Sequence, residues 1–83
     1  LSLEAPKLMQ RSILLAPGAV TNLFVVAGLG ESVACVAGEV LLRTLDGTQR
    51  LTAGESYNVQ PFGVYVLVHA GVAETSVWLA SLS

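Results

Sequence analysis

The sequence predicts an all-β domain folded as a small barrel. Short runs rich in β-branched and aromatic residues occupy most of the chain after residue 11. Gly, Pro, Asp or Asn residues separate these runs about every eight to ten residues, a spacing typical of barrels and sandwiches. No segment shows the periodicity of an amphipathic helix. Together these three observations favour a fold without helices.

Seven strands are predicted in chain order, each bounded by turn residues. They cover residues 20–26, 32–36, 39–45, 48–51, 56–59, 64–70 and 75–81. Residues 1–10 contain Pro6 and are of mixed polarity, so we expect a loose N-terminal arm or an extra edge strand there. Residues 11–83 are predicted to form one barrel domain.

The dipeptide Asp46-Gly47 is the strongest turn signal in the chain, because a two-residue type I′ turn needs positive φ at both of its central positions. Such a turn places Arg43 directly opposite Arg50. Like charges that face each other on one side of a sheet repel. We therefore expect either a three-residue loop that shifts the register or an acidic group between the two arginines.

The composition favours an assembly over an isolated monomer. The chain has 83 residues, of which 53% are hydrophobic and 12% are charged, whereas about a quarter of the residues in soluble domains are charged. A domain this small buries a limited core, and oligomerisation is one of the few ways to enlarge it. Cys35 is the single cysteine, so an internal disulfide is excluded.

The strand predicted at residues 64–70 is apolar on both faces. One row holds Val64, Val66 and Val68, and the other holds Tyr65, Leu67 and His69. Because a small barrel has only one inside, the second apolar row needs a cover on the outside. The expected cover is a second copy of the chain, which predicts a homodimer or a higher oligomer.

The charge excludes two classes of partner. A net charge of −2, with four basic residues spread over the chain, argues against nucleic acid or an anionic membrane surface.

No apolar run approaches the roughly 18–20 residues that cross a bilayer. The first residues lack the pattern of a signal peptide, although a leader removed before Leu1 stays an open alternative. We expect a soluble protein of the reducing cytoplasm.

Residues 36–68 contain a recognisable order of elements. A strand ending in Gly is followed by a strand leading to an Asp-Gly turn, a short return strand, an Ala-Gly-Glu turn, an aromatic strand, a Pro bend and an apolar strand. This order resembles the second half of the cupin signature. With LLAPGAV at residues 14–20, the resemblance covers residues 13–80, and it implies a small cupin-like jelly roll or conical β-barrel.

Two bacterial groups of cupin-like proteins are similar to this chain in outline. One is a group of minimal cupin-like proteins of unknown function. The other is the small cupin-like pyrimidine/purine nucleoside phosphorylases, to which LAPGAVT (15–21), VAGEV (36–40) and AGESYNV (53–59) are similar. The chain departs from the phosphorylases at its end, where Trp78 is the lone aromatic residue of SVWLASLS (76–83).

The chain also departs from metal-dependent cupins. These carry two His and a Glu near the first motif and a further His near the second, because converging imidazoles hold the ion. This chain has one His in total, and GLGESVACVAGEV at residues 28–40 offers only Glu31, Cys35 and Glu39. We therefore expect no metal site of this kind and no cofactor.

Arg43 and Arg50 are the best candidates for contact with a ligand. Two guanidinium groups on one sheet face would clamp a phosphate or a carboxylate. The alternative is that they extend into solvent and pair with Glu39 or Glu55. Tyr57 and the other aromatic residues would line a cavity for a planar ligand such as a base or a sugar; packing in the core or at an interface is the alternative.

His69 is a candidate general base, and the alternative is a histidine with a satisfied hydrogen bond. Cys35 is expected to be a buried small hydrophobe, and Glu55 is expected to be structural. The predicted ligand-binding residues are thus Arg43, Arg50, Tyr57 and His69, with a small anionic or planar molecule as ligand.

No group of residues has catalytic spacing. The predicted function is therefore a non-catalytic binding or assembly module that forms a homo-oligomer. The alternative is nucleoside phosphorolysis with an arginine pair as the phosphate site, so enzymatic activity is left open.

Overall fold

The computed structural model describes residues 8–69 and 71–82, and in these residues it contains strands and no helix. The predicted all-β class is confirmed. The eight strands are β1 (Leu8–Leu15), β2 (Phe24–Val25), β3 (Glu31–Ala37), β4 (Glu39–Thr44), β5 (Gly47–Thr52), β6 (Ser56–Val59), β7 (Val64–Val68) and β8 (Thr75–Leu82).

Two four-stranded sheets pack face to face as a small jelly roll. The first sheet has the order β1-β8-β3-β6, and the second has the order β2-β7-β4-β5. All neighbouring strands are antiparallel. The chain passes repeatedly from one sheet to the other, so residues far apart in sequence meet between the sheets.

The space between the sheets is filled by side chains from alternating strand positions. On β7, for example, Tyr65 and Leu67 are 1% and 0% exposed, while Val64, Val66 and Val68 are only partly buried. Twelve buried hydrophobic residues form one core: Leu15, Val26, Val33, Cys35, Val40, Leu42, Leu51, Val59, Tyr65, Leu67, Val77 and Leu79. The two rows predicted on β7 are confirmed.

The register of the β4–β5 hairpin is shifted, as one of the two expected outcomes required, but through a two-residue turn and not a three-residue loop. Thr44 pairs with Gly47 and Arg43 pairs with Thr48, so Arg43 does not face Arg50. The turn is formed by residues 45 and 46, with positive φ only at Gly47 (137°). The reason is the Thr44 side chain, whose Oγ1 accepts a hydrogen bond from the Asp46 amide at 3.2 Å and donates one to the Gly47 carbonyl at 3.3 Å.

The N-terminal part of the chain also differs from the strand assignment. Strand β1 pairs with β8 over its whole length, from Leu8 opposite Leu82 to Leu15 opposite Thr75. Residues 8–10 therefore belong to an edge strand that continues to Leu15, while residues 1–7 of the predicted arm lie outside the described residues. The strand predicted at residues 20–26 is reduced to β2 and an isolated bridge between Val20 and Val68.

Among the described residues, no helix is long and apolar enough to span a membrane.

Candidate functional site

The four residues predicted to bind a ligand do not form one site. Arg43 and Arg50 lie on the outer face of the β4–β5 hairpin, where both are exposed. Tyr57 lies on β6, partly buried against the core. His69 follows β7 directly and is 1% exposed. The arginines thus point away from the interior that Tyr57 and His69 face.

Arg50 is paired with a carboxylate of the chain itself. Its Nε donates to Glu39 Oε2 at 3.1 Å, and its Nη2 donates to the same oxygen. This hydrogen bond and the charge of Glu39 raise the pKa of Arg50. Arg43 is only a diagonal neighbour of Arg50 across the hairpin. The geometry places both arginines in solvent on one outer face, with Arg50 paired with Glu39.

The His69 ring is held by the loop that follows it. Its Nδ1 accepts a hydrogen bond from the Gly71 amide at 3.2 Å, and its Nε2 contacts the Ala73 carbonyl and Thr75 Oγ1. An amide N–H can only donate and a carbonyl can only accept, so these contacts match the tautomer that carries its proton on Nε2. Both ring nitrogens are engaged, as in the interpretation of His69 as a hydrogen-bonded structural residue.

Thr75 extends this cluster to strand β4. Its hydroxyl donates to the Glu39 carbonyl at 2.9 Å and accepts from the Glu39 amide at 3.3 Å. Gly38 makes this approach possible, because a Cβ at that position would lie 2.5 Å from Thr75 Oγ1 and the residue has a φ of +79°. We name this cluster the histidine clasp. It consists of the side chains of His69 and Thr75 and the backbone groups of Gly71, Ala73 and Glu39 that they bind.

The opposite end of β7 carries a second polar cluster. The buried Tyr65 hydroxyl donates a hydrogen bond to Glu31, at the start of β3. The Tyr65 ring stacks on Phe24 with centroids 5.0 Å apart, and the Arg11 guanidinium lies 5.0 Å from the centroid of the Phe24 ring. We name these four residues, Arg11, Phe24, Glu31 and Tyr65, the barrel mouth.

Tyr65 acts in the barrel mouth as a hydrogen-bond donor. Burial, followed by the hydrogen bond and charge of Glu31, raises the pKa of Tyr65, so the phenol is a donor at neutral pH. Glu31 and Arg11 border a cleft of about 320 Å³ together with Ser81. The cleft presents one carboxylate and one guanidinium to solvent, and the apolar core lies behind it.

The barrel mouth was not predicted from the sequence. Alternation from Val33 places Glu31 on the inward face of β3, and the predicted inner row of β7 contains Tyr65, so two members carried a usable signal. Arg11 lies on β1, opposite Leu79. Its contribution depends on a strand that the sequence did not predict there.

Cys35 is buried, as predicted for a small core residue. Its Sγ lies 3.6 Å from the Ala37 carbonyl and 3.5 Å from the Gly38 carbonyl. Burial raises the pKa of the thiol, and the charges of Glu39 and Glu55 raise it further. Within residues 8–69 and 71–82, no group of three His, Cys, Asp or Glu residues is placed to hold a metal ion.

Comparison with known proteins identifies the fold. No family model matches the sequence, and neither does any curated protein. Similar solved structures include the Cupin 2 domain of an XRE family transcriptional regulator from Enterobacter cloacae, with 20% identity and a TM-score of 0.79 over 90% of this chain and 81% of that chain. A cupin domain from Bordetella pertussis Tohama I has 19% identity and a TM-score of 0.73 over 98% and 86% of the two chains.

A predicted oxalate decarboxylase from Thermotoga maritima is similar at 15% identity, with a TM-score of 0.78 over 87% of this chain. The chain spans 63% of that protein's length. At these identities the similarities show the fold, and the predicted small cupin-like jelly roll is confirmed. They give no support to the specific resemblance to nucleoside phosphorylases.

Proposed function

We propose that this cupin-fold domain is a non-catalytic binding or assembly module that associates with a second copy of itself through the outer face of the second sheet. The observation that carries the proposal is the aliphatic row on β7. Val64, Val66 and Val68 point away from the core and are only partly covered by neighbouring strands. A central strand that is apolar on its outer side favours a covering partner.

Neighbouring strands extend this row into a patch. Val25 of β2 pairs with Val64 and is 74% exposed, and Leu41 of β4 pairs with Val68. Val20 bridges to Val68 from the other side and is 64% exposed. We name the resulting patch the aliphatic face: Val20, Val25, Leu41, Val64, Val66 and Val68. Thr48 and Arg50 of β5 border it on one side, and the exposed Arg43 of β4, which pairs with Val66, lies within it.

A second copy is the occupant that fits this face best. Strands about 4.8 Å apart and residues about 3.3 Å apart give the whole outer face of the second sheet, with β5 included, an area of roughly 400 Å² in projection. Side chains that project from the sheet make its accessible area larger than this projection. Standard interfaces bury about 800 Å² on each partner. At the border, Arg50 is already neutralised by Glu39, whereas Arg43, opposite Val66, brings its charge into the face and needs a carboxylate or solvent beside the partner copy.

The self-association is tested by sedimentation equilibrium at micromolar concentration. We expect the native chain to be a dimer or a higher oligomer and Val68→Glu to be a monomer, because Val68 lies between Leu41 and Val20 and a buried unpaired carboxylate there is costly. Leu14→Glu is the matched control, since Leu14 is 66% exposed on the outer side of the first sheet, opposite Ser76. A monomeric native chain, or equal dissociation by both variants, would contradict the proposal.

The non-catalytic part of the proposal is supported by groups that are already engaged. His69 uses both ring nitrogens, Cys35 is a buried thiol, and Arg50 is paired with Glu39. Incubation with a panel of nucleosides and phosphate is expected to give no turnover. Turnover that disappears in Arg43→Ala would instead support the phosphorylase alternative. The unpaired Cys35 also fits action in the reducing cytoplasm, which we include in the proposal.

A further inference from the structure

We infer that the outer side of the first sheet binds a neutral oligosaccharide. Trp78 is the stacking platform for one sugar ring, and a cleft beside Asn58 holds the hydroxyl groups of the next ring. This face lies on the side of the molecule opposite the aliphatic face. The inference names a ligand class for the binding module and does not rest on self-association.

The first observation is the position of Trp78 at the centre of this sheet face. Trp78 lies on β8, between Ser12 of β1 and Ala34 of β3, and these two neighbours share its side of the sheet. The side chain is 39% exposed. Because neither neighbour is as long as an indole, a face of the ring is open to solvent. The core uses Val77 and Leu79 of this strand instead, so Trp78 is available as an aromatic platform.

The second observation is the chemistry of the residues around the indole. Within the described residues, strands β1, β8, β3 and β6 place no charged side chain on this outer side. All four strands carry hydroxyl or amide side chains there, namely Gln10, Ser12, Ser32, Ser56, Asn58 and Ser76. Asn58, Ala34 and Ala80 are of types depleted in strands. A sheet face built against local propensity is expected at a functional site.

The third observation is a cleft at the end of this face, where β3 begins and where β6 and β8 end. It has a volume of about 560 Å³, within the roughly 300–1,000 Å³ of small-molecule sites. Leu29 and Pro61 border it with apolar surface, and hydroxyl and amide groups come from Ser32, Asn58 and Gln60. The cleft thus combines apolar walls with several uncharged hydrogen-bonding groups.

The cleft and the indole form one continuous site. Ala80 lines the cleft and follows Trp78 on the outer side of β8, about 7 Å further along the strand. Glu31 is the charged residue at the border of the cleft, and its carboxylate accepts the hydrogen bond of the Tyr65 hydroxyl. A ligand stacked on the indole therefore reaches the cleft without meeting an unpaired charge.

These features favour a neutral sugar over other ligands. A sugar ring has a face of C–H groups that packs on the negative face of an indole, and its hydroxyl groups pair with hydroxyl and amide side chains. A lipid chain would leave those side chains without partners. A sugar phosphate would find no cation on this face. An extended peptide would need the free backbone groups of a strand edge, whereas Trp78 lies on an inner strand.

Trp78 is the single tryptophan of the chain, so tryptophan fluorescence reports on this site alone. The native chain is titrated with millimolar cellohexaose, a flat chain of neutral glucose units. We expect a saturable blue shift of the emission, because a stacked sugar ring excludes water from the indole. The backbone amides of Ala34 and Asn58 should shift in ¹H–¹⁵N NMR spectra over the same range of ligand concentration.

Variants separate the platform from the cleft. Trp78→Ala is expected to lower the affinity for cellohexaose by about tenfold in the NMR titration, because it removes the stacked ring. Trp78→Phe keeps an aromatic ring and should bind with intermediate affinity. Asn58→Ala retains the fluorescent residue and should bind several-fold more weakly. Leu45→Ala is the control, since Leu45 is 90% exposed on the hairpin of the second sheet, and it should bind as the native chain does.

Absence of a saturable response in the native chain, or equal affinity of the native chain and Trp78→Ala, would overturn the inference. If Trp78→Ala did not fold, native affinity in both Trp78→Phe and Asn58→Ala would overturn it. An equal response to n-octanol, which lacks the array of hydroxyl groups, would identify a non-specific apolar patch and would overturn it as well. Sedimentation of Trp78→Phe is expected to match the native chain, so this failure is distinguishable from failure of self-association.

Discussion

The two sides of strand β7 are both apolar, but only one of them is enclosed. The inner row of Tyr65, Leu67 and His69 is almost fully buried, whereas the outer row of Val64, Val66 and Val68 is partly exposed. The inner row also carries the polar groups, and each of these has a partner within the described residues. A buried row with polar groups needs hydrogen-bond partners in defined positions, while a purely aliphatic row needs only to be shielded from water. This difference distinguishes the interior from the proposed interface.

The largest expected contrast is between neighbouring residues on these two rows. Leu67→Ala should cost about 2–5 kcal/mol of unfolding free energy, because it leaves a cavity in the packed core. Val66→Ala should cost less than about 1 kcal/mol at concentrations where the chain is monomeric. Urea denaturation of both variants measures the two values.

The same pair of variants reports on association. Raising the protein concentration should increase the urea midpoint of the Leu67→Ala variant, because association stabilises the folded chain. The midpoint of Val66→Ala should respond less. Equal losses of unfolding free energy in the two variants under monomeric conditions would show that the outer row is as enclosed as the inner one. This result would contradict the difference between the two rows.

The histidine clasp gives the next largest effect. His69→Phe keeps a ring of similar shape but removes the partners of the Gly71 amide and the Ala73 carbonyl. Each of these two groups, left without a partner, should lower the unfolding free energy by about 1–3 kcal/mol. Thermal unfolding measures this loss. His69→Gln, which retains a donor and an acceptor, should lose less. If His69→Phe were as stable as the native chain, the clasp would have no structural role.

The barrel mouth gives a smaller effect that depends on pH. Tyr65→Phe should cost about 1.5–3 kcal/mol at most, since it removes one hydrogen bond to a charged group that retains access to water. The pKa of Tyr65 is raised above the usual 10.0, so above that pH the unfolded chain loses this proton more readily than the folded chain. The stability from the neutral phenol is therefore present below pH 10 and is lost as the pH rises further.

Alkaline unfolding measures this loss. The unfolding free energy of the native chain should fall above pH 10 more steeply than that of Tyr65→Phe. Parallel curves for the two proteins would show that Tyr65 ionises equally in both states and would remove the hydrogen bond to Glu31 from the account.

The rows of β7 could be predicted because alternation is a local property of the sequence. The register of the β4–β5 hairpin was harder to predict. The Asp46-Gly47 dipeptide predicted one turn, but the Thr44 hydroxyl stabilises another, which moves Arg43 away from Arg50. Strand β1 was predicted only as an optional edge over residues 1–10, because its strand character comes from pairing with β8 at the other end of the chain.

The candidate sites were less predictable than the fold for the same reason. Arg11, Glu31 and Tyr65 come from β1, β3 and β7, and their meeting depends on how the two sheets face each other. Tyr57 was a candidate because it is aromatic, but its neighbours could be identified only from the packing of the hairpin against the β6–β7 turn.

The most direct test of the proposed assembly is an isotope-filtered NOE experiment on a mixture of labelled and unlabelled chains. The account predicts intermolecular contacts between the methyl groups of Val64, Val66 and Val68 and the aliphatic face of the second copy. Intermolecular contacts confined to the outer side of the first sheet around Leu14, or no intermolecular contacts at all, would contradict it.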